Sequence, residues 1–308
     1  MERLDDAVSF EDVRYLLQNE QACLRVLFEA RWPDGFRCPR CDRSDYYLIS
    51  TRTLPLYECP HCRKQTSLIA GTVFQGTRTP LHLWFQAIWL HCRPGGVNAK
   101  QLAESIGVTY KTAWTMCHKL RHAMSEAEAS WLLNGVVRIN DAWIVHRPRA
   151  TMDWLPQEQP VLVGGTEGEN GKPERVKIKH QDKSIIPNRF ASPDPTLFIM
   201  THVAPEARRS AVYTRRIKER NRELFQIVWG AENWLADVFR GIGPKHLQAY
   251  LDQYCYVWNR KGRPLFGELV RWCASVPTVT YPMLTRKKPV RPKRPDRCSA
   301  EALVCAAS

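Results

Sequence analysis

Apolar residues recur at two different periods along this chain, and the changes of period mark its elements. Val13, Leu16, Leu17, Leu24, Leu27 and Phe28 follow a helical repeat. The N-terminal segment therefore reads as one or two short helices ending near Arg31, with Ser9 and Asp12 as a capping pair. Pro33, Asp34 and Gly35 then supply a turn. Further on, Leu102, Ala103 and Ile106 stand at helical spacing behind Asn98, an N-cap residue type, and Gly107 ends that helix. Thr109 opens the next, with Val108, Ala113, Met116 and Leu120 facing inward. Because Ala103 is small and lies one turn before Gly107, the two helices can cross closely, as a helix-turn-helix requires. Tyr110, Lys111, Trp114, Thr115 and Lys119 are left on or near the outer side. A polar, aromatic and basic face of this kind suits a DNA major groove. Helical bundles also contain paired amphipathic helices joined at a glycine, so this stretch alone leaves both readings open.

The C-terminal half begins with strand patterns. Pro160 to Gly165 and Arg175 to His180 read as strands, joined by the hairpin GTEGENGK. Leu247, Tyr250, Leu251, Tyr254, Val257 and Trp258 restore the helical period, predicting a helix over Lys245 to Asn259, with a second over Phe266 to Ser275. After Tyr281 the run RKKPVRPKRPDR is basic and broken by proline, the composition of a disordered tail. Such a tail adds phosphate contacts without sequence specificity. The fold class is α+β and multidomain.

Charge narrows the partners. Lys and Arg total 45 against 31 acidic residues, a formal charge of +14. Such an excess favours a polyanion, and nucleic acid is the simplest. The apolar windows are short and interrupted, predicting no transmembrane span, no secretory signal and no membrane partner.

Of eleven cysteines, four are paired as Cys38-x2-Cys41 and Cys59-x2-Cys62, seventeen residues apart. A Cys-x2-Cys turn aims two thiolates at one point, and two such knuckles complete a closed tetrahedral site for structural Zn2+. Zinc lowers the thiol pKa and holds together a ribbon too small to fold by itself. The competing reading is a disulfide or unrelated buried thiols. Cys23, Cys92, Cys117, Cys255, Cys273, Cys298 and Cys305 show no ligand spacing and read as core or incidental.

Taken together, RWPDGFRCPRC, the second knuckle, TVFQGTRTPLHLWFQAIW, GVNAKQLAESIGVTYKTAWTMCHKLRHAM and PKHLQAYLDQYCYVWNRK with TVTY resemble the zinc-ribbon insertion-sequence transposases. The likeness runs from about Phe10 to Tyr281 and is poorest between residues 126 and 233. It implies an N-terminal helical segment (1–36), a zinc ribbon (37–71), a helix-turn-helix region (72–130), an RNase H-like domain (131–281) and a basic tail (282–308). It also implies zinc on Cys38, Cys41, Cys59 and Cys62, recognition of mobile-element ends and a homo-oligomer that pairs two ends. A prokaryotic member is expected in the cytoplasm, on the nucleoid.

The resemblance further implies a DDE-type nuclease, in which carboxylates hold two Mg2+ ions to cut and join DNA. Here those positions depart from the pattern. The strand GVVRINDAWI puts Asn140 at the first acid position and Asp141 one place later, on the opposite face unless the register slips or a bulge turns it. The second position, after Thr214, is Arg215, whose guanidinium repels metal ions. Asp182 and Asp194 are loop residues and poor substitutes. For the third acid, one alignment selects Glu232 on a helix that buries Trp229, Leu235 and Val238, and another selects Phe225. The favoured expectation is a transposase-like DNA-binding protein with an impaired nuclease centre. The alternatives are an active, Mg2+-dependent transposase using Asp141 and Glu232, and a zinc-dependent regulator or interaction module derived from a transposase.

Overall fold

A computed structural model of the chain describes residues 15, 18–51, 54–93, 95–144, 152–168, 170–214 and 220–286. Helix α1 spans Glu20–Arg31 and buries Ala22, Cys23, Leu24, Leu27 and Ala30. Its cap is Asn19, whose side chain accepts from the N–H groups of Gln21 and Ala22. The expected pair at Ser9 and Asp12 lies outside the described residues.

Three short antiparallel strands follow, β1 (Tyr47–Ile49), β2 (Leu56–Glu58) and β3 (Gln65–Ser67). Then come α2 (Leu81–Cys92), α3 (Ala99–Ile106) and α4 (Tyr110–Ala129). Helix α2 starts at Pro80 without a side-chain cap of its own, and the Glu20 carboxylate of α1 takes that role. It accepts from the N–H groups of Leu81 and His82 at 2.8 and 2.9 Å, placing negative charge at the helix N-terminus.

The second sheet has strand order β6-β5-β4-β7, built from β4 (Val137–Ile144), β5 (Gln159–Glu167), β6 (Pro173–His180) and β7 (Val212–Tyr213). The first three form an antiparallel meander, and β7 returns parallel to β4 by way of α5 (Thr196–His202) and a 3-10 turn at Pro205–Ser210. One face of the sheet packs on α6 (Arg222–Phe239) and α7 (Pro244–Trp258) through Ala142, Ile144, Val161, Val163, Val176 and Ile178. On the other face Val137, Ile139 and Leu162 meet Phe198 of α5 and Ala207. With both faces covered, β5 is buried along most of its length rather than alternating. Two glycines permit the close approach. A Cβ at Gly164 would lie 2.7 Å from the Phe198 ring, and one at Gly165 would lie 2.9 Å from Leu224.

Helix α7 also packs on α4 and thereby ties the sheet to the helical body. α8 (Phe266–Ser275) completes a core shared with α1, α2 and α4. Arg260 secures the joint by pairing with buried Glu128 of α4 and with Glu268 of α8. No described helix is long and apolar enough to cross a membrane.

Two details differ from expectation. The buried side of α6 is Leu224, Ile227, Val228, Ala231 and Leu235, and Trp229 projects outward at 65% exposure. The reason is that the apolar stripe steps by three and four from Leu224, so Trp229 falls off it. At the other end, Tyr281–Thr285 forms a short helix, α9, inside the segment expected as tail, and the basic run from residue 287 lies outside the described residues.

Candidate metal centre and nucleic-acid interface

The two cysteine knuckles have the same local construction. Cys38 N–H donates to Arg43 O and Asp42 N–H to Cys38 O, while Cys59 N–H donates to Lys64 O and Arg63 N–H to Cys59 O. The fourth residue after each opening cysteine, Asp42 or Arg63, takes a left-handed φ of 59° or 56° to close the turn. The loops so formed bring the sulfurs together. Cys38–Cys62, Cys41–Cys59 and Cys41–Cys62 are each separated by 3.5 Å, and the four sulfurs all lie within 4.8 Å of one another.

These separations are too long for a disulfide, whose sulfurs sit about 2.05 Å apart. They suit tetrahedral Zn2+, for which bonds of about 2.3 Å place sulfurs about 3.8 Å apart. Burial pushes the Cys38 thiol up, but hydrogen bonds from the backbone N–H groups of Arg40 and Cys41, with the Cys62 and Cys41 thiols, outweigh it and bring it to about 6. The donor set therefore fits a closed, structural zinc ion. Around it Trp32, Phe36, Tyr46 and Tyr57 form an aromatic cluster with ring centroids 5.1–5.8 Å apart.

The helix pair α3–α4 is built as its sequence predicts. Asn98 and Gln101 form a reciprocal capping box, and Gly107 ends α3 at φ +69° with its N–H on Ala103 O. Thr109 caps α4 by accepting from Thr112 N–H. Tyr110 is 60% exposed, and Lys111 is exposed with its ammonium 4.7 Å from the centre of the Tyr281 ring. Thr115 donates to Lys111 O. Trp114 is packed more closely, its ring tilted against His118 at 4.2 Å with Tyr281 and His246 at 5.7 and 6.0 Å.

Lys119 is not on the outer side. It is buried, and its ammonium donates to Val73 O and Gln75 O at 3.1 and 3.4 Å. Burial lowers its pKa. The cause is length: α4 runs for 20 residues, and from Met116 to Arg121 every residue is buried against the body. His246 and Tyr281 beside Trp114 carried no local sequence signal, since they arrive from more than 130 residues away.

The expected acid positions are arranged differently from a cluster. Asn140 lies on the α6 face of β4, where its amide donates to Asn221 O at 2.7 Å and accepts from Asn221 N–H at 3.3 Å. Asn221 is itself the N-cap of α6, so Asn140 fixes the start of that helix. The β4–β5 ladder is continuous through Asn140–Val163 and Asp141–Leu162, with no bulge to turn Asp141 onto the same face. Asp141 is buried on the opposite face and paired with Arg220 at 2.7 Å. Its pKa is raised because burial outweighs the opposing charge of Arg220.

Glu232 sits 11 residues beyond Asn221 on α6, about 16 Å along the helix axis. Asp182 and Asp194 serve as local caps for the N–H groups of Ser184 and Thr196. Arg215 lies outside the described residues, while neighbouring Thr214 donates to Ile139 O beside Asn140. Among the described residues, the four cysteines form the one group of three or more Cys, His, Asp or Glu side chains drawn to metal-binding distance. Asp141 and Glu232 are not brought together.

Comparison with known proteins agrees with the metal site. Residues 18–65 match the transposase zinc-ribbon domain, a span holding all four cysteines. The chain is 27% identical over 143 residues to an uncharacterized protein in transposable element ISH50 of Halobacterium salinarum. That alignment covers 46% of each, so the chain spans about half the length of this relative. No solved structure matches. Residues 18–65 are thus similar to a transposase zinc ribbon and carry its four-sulfur geometry, and about half of the chain is similar to a protein of a transposable element.

Proposed function

We propose that this chain is a transposase-like protein that recognises mobile-element ends through its zinc ribbon and the α3–α4 helix pair, with an impaired DDE-type nuclease centre. Recognition by α4 is supported by the exposed Tyr110 and Lys111 at its N-terminus, the end that meets base edges in helix-turn-helix proteins. Thr115 and the edge of Trp114 complete this surface, and the formal charge of +14 favours the approach of DNA. Lys119 is excluded by its burial.

An antiparallel meander with a further strand parallel to its first supports reading residues 131–281 as an RNase H-like nuclease domain. The observation that carries impairment is the environment of Asn140 and Asp141. A neutral amide fills the first acid position and is occupied in holding Asn221, and the adjacent carboxylate is buried behind the sheet against Arg220. Two Mg2+ ions require several oxygen anions converging on one point. Asn140, Asp141 and Glu232 supply no such convergence.

A competition gel shift tests recognition. Zinc-loaded protein should prefer its element's terminal repeat over random duplex, and Tyr110→Ala and Lys111→Ala should weaken binding. Equal affinity for the two duplexes would refute the reading. Pairing of two ends by a homo-oligomer is part of the proposal and is read from the same complexes by mass.

A further inference from the structure

A cavity of about 500 Å3 lies where the end of α2 and the loop after it meet the β5–β6 hairpin and helices α6 and α7. Neither the metal centre nor the α4 surface uses it. Its volume is that of a site for a small organic molecule, roughly 300–1,000 Å3.

The wall residue with the clearest chemical demand is His91, which is fully buried. Its Nδ1 lies 2.8 Å from Ala87 O, and since a carbonyl only accepts, Nδ1 carries the proton. Nε2 is therefore a bare acceptor, and it has no partner among the described residues. Burial first, and then the charge of Arg121, keep the ring neutral. A buried acceptor without a donor is costly, so the site asks for a ligand N–H or O–H.

Around His91 the wall is aromatic, with Tyr254 and Trp258 from α7 and Trp234 from α6. Trp234 is held by its own N–H bond to Gly95 O at 3.0 Å. At the mouth stand three cations from separate parts of the chain, Arg93, Lys172 and Lys261. An aliphatic guest would leave both His91 and these cations unanswered. A metal ion would find the His91 nitrogen and the Glu223 carboxylate beside three repelling cations, and no group of three ligand side chains converges there among the described residues.

We propose that this cavity binds a nucleotide. Its base lies against the aromatic walls and donates an N–H to His91 Nε2, and its phosphate meets Arg93, Lys172 and Lys261. A free deoxynucleotide and a nucleotide turned out of a bound strand present this same chemistry. The proposal does not depend on recognition of element ends, because a mononucleotide suffices to test it.

The experiment is a titration of the zinc-loaded full chain with dAMP, followed by tryptophan fluorescence. Saturable quenching is expected, about tenfold weaker for deoxyadenosine, which lacks the phosphate. The doubly substituted Arg93→Ala/Lys261→Ala protein should bind dAMP about tenfold more weakly, and His91→Phe should do the same by removing the acceptor. The double variant changes exposed residues, so it decides the matter even where His91→Phe fails to fold. In a second arm, a single-stranded oligonucleotide carrying 2-aminopurine is bound and then challenged with dAMP. Displacement of its fluorescence change identifies a strand nucleotide as occupant, and dAMP binding without displacement identifies the free nucleotide. Absence of saturable dAMP binding, or equal dAMP affinity in the double variant, overturns the proposal.

Discussion

Replacing one zinc ligand gives the sharpest account of what holds the N-terminal part together. In Cys59→Ser a fully buried thiolate becomes a hydroxyl, leaving three sulfurs and a poor fourth donor. The three ribbon strands are three residues each and cannot persist by pairing alone. The aromatic cluster around Tyr57 supplies about 0.5–1.5 kcal/mol per ring pair. Zinc in small closed sites contributes about 10–16 kcal/mol, comparable with the whole stability of a domain, about 5–15 kcal/mol. The metal term therefore dominates, and losing it should unfold residues 36–70. The helical body should survive, because α1, besides its contacts to the ribbon through Phe28 and Arg31, is held against α2 and α8 in a core that includes Leu24 and Leu27. Zinc content measured by atomic absorption should fall from one ion per chain to a small fraction. Hydrogen exchange should show protection lost in the ribbon and kept in α4. Wild-type protection of the ribbon in metal-free Cys59→Ser would refute the reasoning.

Three further outcomes follow from other parts of the molecule. Gly164→Ala forces a Cβ to within 2.7 Å of the Phe198 ring, so chemical denaturation should show a loss of about 1–3 kcal/mol. Asn98→Ala removes the α3 capping box and the amide bond to Val238 O, and should lower stability by about 0.5–2 kcal/mol in the same assay. His91, His118 and His202 are each lowered to about 3, in every case chiefly by burial. Their folded pKa values lie below the unfolded value near 6.5, so the stabilisation they carry is complete above pH 6.5 and is lost as pH falls toward 3. Each contributes up to about 1.4 kcal/mol per pH unit in that window. The denaturation midpoint should therefore drop between pH 7 and pH 5.5, and a midpoint that rises would contradict the assignment.

Local chemistry was legible in the sequence wherever a short pattern determines a short structure. Spacing alone located the zinc ligands, and the cap types at Asn98, Gly107 and Thr109 set the limits of α3 and the start of α4. The apolar period placed α8 over Phe266–Ser275 to the residue. What a face meets was not legible, because that depends on elements far away in the chain. Lys119 has the periodic position of an outward residue, yet the carbonyls of Val73 and Gln75 enclose it. Trp229 looked buried by residue type, but the sheet accepts the neighbouring stripe. The cavity at His91 is assembled from four separated segments and has no linear signature. Strand alternation correctly set Asn140 and Asp141 on opposite faces, and only the fold revealed their partners, Asn221 and Arg220.

The central claim concerns binding without cutting, and a single experiment measures both. A labelled duplex carrying the element's terminal repeat is incubated with zinc-loaded protein in Mg2+ and in Mn2+, and each sample is scored by gel shift and by denaturing gel. The account predicts a shifted complex with the strands left intact in either metal. Site-specific nicking that Asp141→Ala or Glu232→Ala abolishes would contradict it, showing that carboxylates kept apart here converge on DNA.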